Sequence, residues 1–67
     1  MDVRQRLAVN VKRLRKERGW SQEALADEAD LDRTYVSGIE RVLKNPTVTV
    51  VDRIAKALGC PLGALLD

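Results

Sequence analysis

The side chains equipped for chemistry gather in one stretch of this chain, "LDRTYVSGIERVLKNP", Leu31 to Pro46. At about 100° per residue, Thr34, Ser37, Gly38 and Arg41 share one side of a helix there, with Arg33 at its N-terminal end. That set donates and accepts hydrogen bonds and carries positive charge. It holds no nucleophile beside a base and no metal ligand. The chain has no histidine, so the usual general base and the commonest metal ligand are missing. Its one cysteine, Cys60, has neither a histidine partner nor a second thiol for zinc or an internal disulfide. The glycines are scattered and form no phosphate-cradling loop. Carboxylate-only catalysis is the one enzymatic route left. The residues point instead to a binding module with no cofactor, metal or small-molecule ligand.

Sixty-seven residues make one domain, 1–67, with a core too small to enclose a substrate pocket of its own. With 45% apolar and 33% charged residues the chain reads as globular, not disordered. No apolar run approaches bilayer length, and "MDVRQRL" lacks the apolar stretch of a signal peptide. With its single cysteine, this makes a reducing cytoplasm the expected location and a membrane no partner. Net charge is only +2, but its distribution is uneven. Residues 1–18 hold seven basic and two acidic groups, and residues 19–32 hold five acids and no base. Residues 33–46 hold three bases and one acid, so the opening stretch is a basic segment behind an acidic one.

The elements that must position this stretch are helices. Val3, Leu7, Val11 and Leu14 fall at helical spacing, with Asp2 as N-cap and Gln5 completing a capping box. Gly19 is placed to end that helix in a left-handed turn. Ser21 caps a second helix, "SQEALADEA", with Leu25, Ala26 and Ala29 as its inner stripe, and Trp20 and Leu25 at the positions of a hydrophobic staple. Asp32 caps a third, "RTYVSGIER", in which Val36, Ile39 and Leu43 share the inner face. The short "DL" between them predicts a helix-turn-helix. Pro46 breaks the pattern. A fourth helix is expected from Thr49 as cap, with Asp52 reaching back, Val51, Ile54, Ala55 and Leu58 inside, and Gly59 as its stop. Pro61 opens a last short helix. The expected fold is all-α, a five-helix domain with the helix-turn-helix in helices 2 and 3.

From "VKRLRKERGWSQEALADEADLDRTYVSGIE" through "NPTV" to "IAKALG", nearly the whole chain resembles the lambda-repressor-like helix-turn-helix regulators of the Cro/cI (XRE) family. Within it, "LDRTYVSGIER" is most similar to the controller proteins of restriction–modification systems, although related orphan regulators share that stretch. Two departures stand out. Val42 occupies a position usually held by glycine, so the third helix is expected to end differently or run slightly longer. Asp30 also stands in place of a turn glycine, and aspartate tolerates the left-handed conformation at some cost.

The resemblance implies double-stranded DNA as partner, with a recognition helix at about 33–41 in the major groove. A groove about 12 Å wide admits a helix, and small residues such as Gly38 let it sit deep. Arg33 has the reach for guanine O6 and N7, and Thr34 and Ser37 the groups for a base edge or a thymine methyl. Gln22, Tyr35, Arg41 and Lys44 are the expected phosphate contacts. The resemblance also pairs Arg15 with Glu40 in a partly buried ion pair. Lys12, Arg13, Lys16 and Arg18 balance the acidic second helix, and Cys60 reads as a small core residue. A symmetric homodimer on a palindromic operator is expected, joined through Leu62, Leu65 and Leu66, which cannot all be buried in so small a core. The rival reading is a protein-interaction module, such as an antitoxin, whose last helix is the partner surface and whose DNA binding is secondary.

Overall fold

Each of the first four helices starts on a side chain that satisfies its free amides. The computed structural model describes residues 1–67, with α1 over Val3–Glu17, α2 over Gln22–Ala29, α3 over Arg33–Glu40, α4 over Val48–Leu58 and α5 over Leu62–Leu66. The Asp2 carboxylate accepts from the amides of Arg4 and Gln5, and the Asp2 amide donates to Gln5 Oε1 at 2.9 Å, which closes the expected capping box. Ser21 and Asp32 cap α2 and α3 in the same way. The cap of α4 is Thr47, not Thr49. The Val50 amide donates to Thr47 Oγ1 at 3.2 Å, and the helix begins as soon as Pro46 is passed. Asp52 does not reach back to a cap but pairs with Lys56 one turn on, at 3.2 Å.

The first four helices also stop in one way. Just past each end, the residue that follows a left-handed residue donates its amide to a carbonyl five residues back. The four bonds are Trp20 to Arg15, Leu31 to Ala26, Leu43 to Gly38 and Cys60 to Ala55, at 2.7–3.1 Å. Gly19 and Gly59 take the left-handed position in α1 and α4. Asp30 and Val42 take it in α2 and α3, at φ 56° and 60°. The third helix therefore neither runs longer nor ends on a different turn. It makes the usual turn with a β-branched residue, a strained conformation.

The core is built from Leu7 and Val11 of α1, Leu25, Ala26 and Ala29 of α2, Val36 and Ile39 of α3, Val51, Ile54, Ala55 and Leu58 of α4, and Leu65 of α5. Each large aliphatic side chain fully buried here contributes about 1.5–3 kcal/mol. Two residues expected inside lie outside. Val3 is too near the start of α1 to be covered and is 47% exposed. Leu43 lies past the end of α3, where the Val42 turn carries it off the helical stripe, and is 65% exposed. The third helix rests on α1 and α2 rather than on α4 or α5, so it sits at the edge of the molecule with one face uncovered.

Arginines seal the helix ends. Arg53 of α4 donates to the carbonyls of Ala29 and Asp30 at the end of α2. Arg18 donates to Leu58 O at 2.7 Å at the end of α4 and lies 5.1 Å from the centre of the Trp20 ring. Arg6 and Asn10 of α1 hold the carbonyls of Leu66 and Leu65. A positive group at a helix C-terminus satisfies free carbonyls and opposes the dipole. Much of the basic charge of α1 is therefore structural.

Candidate nucleic-acid interface

The uncovered face of α3 forms one side of a shallow concavity. Arg33, Thr34 and Ser37 line it along the helix, and Arg41, Leu43 and Lys44 close its far end. Arg33, Thr34, Arg41 and Lys44 are exposed and Ser37 is half-buried. No acidic side chain lines the surface. None of the molecule's five ion pairs uses Arg33, Arg41 or Lys44.

Gly38 has a different reason for being glycine from the one its place on that face implies. It is buried, and a Cβ there would lie 2.6 Å from Lys44 Cγ. The missing side chain lets the Lys44 stem cross the helix, and the ammonium comes to rest 5.8 Å from the centre of the Tyr35 ring. A cation over an aromatic face is held by the ring quadrupole. Lys44 is thereby fixed along the flank of α3, and half-buried Tyr35 packs partly on the core.

Thr34 is less free than an exposed threonine usually is. Asp32 Oδ1 accepts from the Thr34 amide at 2.8 Å and from its hydroxyl at 2.6 Å. These two bonds, with Arg33 nearby, hold the Asp32 carboxyl below the usual aspartate range, the hydroxyl bond being the largest cause.

Glu40 ends α3 facing inward. Its side chain and that of Arg15 are 4% and 10% exposed. Arg15 Nε donates to Glu40 Oε2 at 2.7 Å and Nη2 to Oε1 at 3.0 Å, a two-pronged pair. Arg15 Nη1 also donates to Trp20 O at 2.8 Å, and Gln22 Nε2 donates to Glu40 Oε1 at 3.2 Å. The carboxylate beside it pushes the Arg15 pKa up. One network thus ties the end of α1, the start of α2 and the end of α3. It disposes of the one acidic charge in the basic segment, and it aims the Gln22 amide, whose amino group keeps a second hydrogen.

The last helix corrects the expected interface. Leu65 has no exposed surface, because α5 packs against both α1 and α4 and turns it into their core. It belongs to the protomer's own interior. Leu62 and Leu66 are half-buried and line an apolar groove with Val3, Leu7, Val48 and Val51. Val48 is 71% exposed. The sequence places Val3 in the inner stripe of α1 and leaves Val48 ahead of the fourth helix, so neither is expected in a surface groove. Both sit at the first position of a helix, where no neighbour covers them. Cys60 is half-buried, and desolvation pushes its thiol pKa up, which leaves it little thiolate character. No group of histidine, cysteine or acidic side chains is arranged to hold a metal, and no helix is long and apolar enough to cross a membrane.

Known proteins are similar to this chain in sequence and architecture. Residues 11–65 match the helix-turn-helix family model. A hypothetical transcription factor of Neisseria meningitidis is 45% identical over 65 residues, 97% of this chain and 61% of that protein's length. The chain thus spans under two thirds of this relative. The crystal structure of the hypothetical transcription factor NHTF from Neisseria superposes with a TM-score of 0.96 at 44% identity, over 98% of this chain and 76% of that one. The restriction–modification controller protein C.AhdI of Aeromonas hydrophila superposes with a TM-score of 0.89 at 34% identity, over 92% of this chain and 94% of that one. With five helices, a helix-turn-helix in α2 and α3, and relatives of this kind, the chain belongs to the lambda-repressor-like, Cro/cI-type (XRE) helix-turn-helix family of transcriptional regulators.

Proposed function

We propose that this protein reads a specific duplex DNA sequence as a symmetric dimer, with α3 in the major groove and α2 across the phosphate backbone. The observation that carries this reading is the exposed face of α3. It is lined by Arg33, Thr34 and Ser37, bordered by the unpaired cations Arg41 and Lys44, and free of acidic side chains. A groove about 12 Å wide admits such a helix, and the paired donors of an arginine match guanine O6 and N7. Arg33 and Ser37, with Thr34, are the base contacts. Gln22, Tyr35, Arg41 and Lys44 position the backbone. Gln22 offers its remaining amide hydrogen to a phosphate beside the start of α2. Controller proteins among the similar structures favour a regulator of that class.

One domain of this size makes few contacts, so two-fold pairing is the economical way to reach operator affinity. Two recognition helices would then sit about 34 Å apart, one turn of DNA. The apolar groove of Val3, Val48, Leu62 and Leu66 is the candidate for the two-fold surface, without Leu65.

Selection of bound sequences from random duplex DNA tests the reading. An inverted repeat should emerge. Arg33→Ala should cost about 1–3 kcal/mol on that site and relax the preference at one position in each half-site. Lys44→Ala should weaken binding evenly across sequences and lower the salt slope by about one unit. Enrichment of no sequence at all would overturn the proposal.

A further inference from the structure

We infer that Asp32 is a specificity-determining positioning residue: by holding the Thr34 hydroxyl proton, it makes Thr34 an obligate acceptor that prefers an amino-bearing base on the strand it faces. The inference deepens the DNA-binding reading above and rests on it.

A threonine hydroxyl has one hydrogen to donate and lone pairs with which to accept. An unattached one rotates to suit its partner and so discriminates poorly between donors and acceptors. Thr34 is attached. Its Oγ1 lies 2.6 Å from Asp32 Oδ1, while the same carboxylate oxygen takes the Thr34 amide at 2.8 Å. Asp32 is the N-cap of α3, with extended backbone, so its side chain is itself anchored by the start of the helix. A hydroxyl bonded to an ionised carboxylate makes a bond roughly twice as strong as one between neutral groups. No base-edge carbonyl or ring nitrogen competes for that proton on equal terms. The bond also fixes χ1 and with it the direction of the methyl group. Thr34 is nonetheless exposed on the concave face, so its remaining lone pair is available there.

The major groove turns this polarity into sequence. Adenine N6 and cytosine N4 donate, while thymine O4 and guanine O6 and N7 accept. Every base pair presents one amino group in the major groove, so the signal lies in which strand presents it. Thr34 locked as an acceptor favours adenine or cytosine on the strand it faces over guanine or thymine. Asp32 need not touch the DNA to set that preference.

The same random-duplex selection is run on the full chain, on Asp32→Ser and on Thr34→Val, with circular dichroism on each. Serine keeps a good N-cap but is too short to reach the Thr34 hydroxyl as well. The wild-type chain should favour adenine or cytosine about five-fold at one position per half-site, the scale of one net hydrogen bond. Asp32→Ser should flatten that position alone and leave the Arg33 position intact. Thr34→Val, which keeps the shape and removes the acceptor, should lose the same preference. A motif that Arg33→Ala relaxes but Asp32→Ser leaves unchanged, or alters evenly at all positions, overturns the inference and spares the DNA-binding reading. A wild-type preference for guanine or thymine at the Thr34 position overturns it even if a variant does not fold. A wild-type chain that enriches nothing overturns both.

Discussion

At the scale of single residues, Arg15 and Glu40 bring opposite charges to a place where water reaches little of either. Their two-pronged contact compensates the loss of solvation only while both are present. Removing one partner leaves a desolvated charge, so Arg15→Met or Glu40→Gln should each destabilise the fold by about 3 kcal/mol, and the double variant by less than the sum. A double-mutant cycle in urea measures this, and zero coupling would show that the pair contributes nothing jointly. Val42 presents the opposite case. It holds a left-handed conformation that costs a non-glycine residue roughly 1–2 kcal/mol. Val42→Gly should therefore raise the melting temperature by several degrees, about 4–8 °C per kcal/mol for a domain of this size. The gain is partly offset by lost apolar contact, because Val42 is half-buried. A lower melting temperature would mean that those contacts outweigh the strain.

At the scale of elements, α1 and α3 begin on carboxylates that are useful only when ionised. Asp2 and Asp32 both have folded-state pKa values below the ordinary 3.8, Asp2 through the Gln5 amide first and Asp32 through the Thr34 hydroxyl first. A depressed folded pKa means stability that is fully present above the unfolded value and lost as pH falls through the folded one. Melting temperature should then decline as pH falls below the ordinary aspartate pKa of 3.8 and through the lower folded-state values. Asp32→Ser should remove part of that decline, because a serine cap does not titrate. Identical acid profiles for wild type and Asp32→Ser would show that the Asp32 carboxylate has no linkage to folding. The same two caps sit at the two ends of the functional argument. Asp2 secures the long helix on which the core is laid, and Asp32 starts the helix proposed to read DNA.

At the scale of the whole molecule, the five residues of α5 hold both a core residue and residues of the proposed two-fold groove. Leu65 is core and Leu66 lines the outer groove, so neighbouring substitutions should have different consequences. Leu65→Ala should destabilise the protomer by about 2–5 kcal/mol through lost burial and the cavity left behind. Leu66→Glu, placed in the groove, should keep the helical spectrum and yield a monomer by sedimentation. Operator affinity should then fall steeply, because each protomer must bind its half-site alone. A Leu66→Glu chain that stays dimeric would place the two-fold surface elsewhere on the molecule.

Local chemistry made much of this legible in the sequence. Caps at Asp2, Ser21 and Asp32, the stop at Gly19 and the inner stripes of α2 and α4 are written in residues a few positions apart. Short-range rules suffice to read them. The five-helix architecture, the helix-turn-helix and the face of α3 followed from the same periodicity, and the family resemblance brought Arg15 and Glu40 together before any distance was known. Tertiary structure decided what periodicity cannot express. A stripe names a face of a helix but not whether a neighbour covers it, so Val3 and Leu43 emerged exposed while Leu65 was claimed by two packed helices. Thr47 and Thr49 are equally able to cap, and only the path of the chain after Pro46 selected the first. Gly38 reads as a small groove-side residue until Lys44 is seen crossing it. The direction of one hydroxyl proton on Thr34 was likewise invisible in sequence. It depends on where a carboxylate two residues earlier comes to rest once the helix has formed.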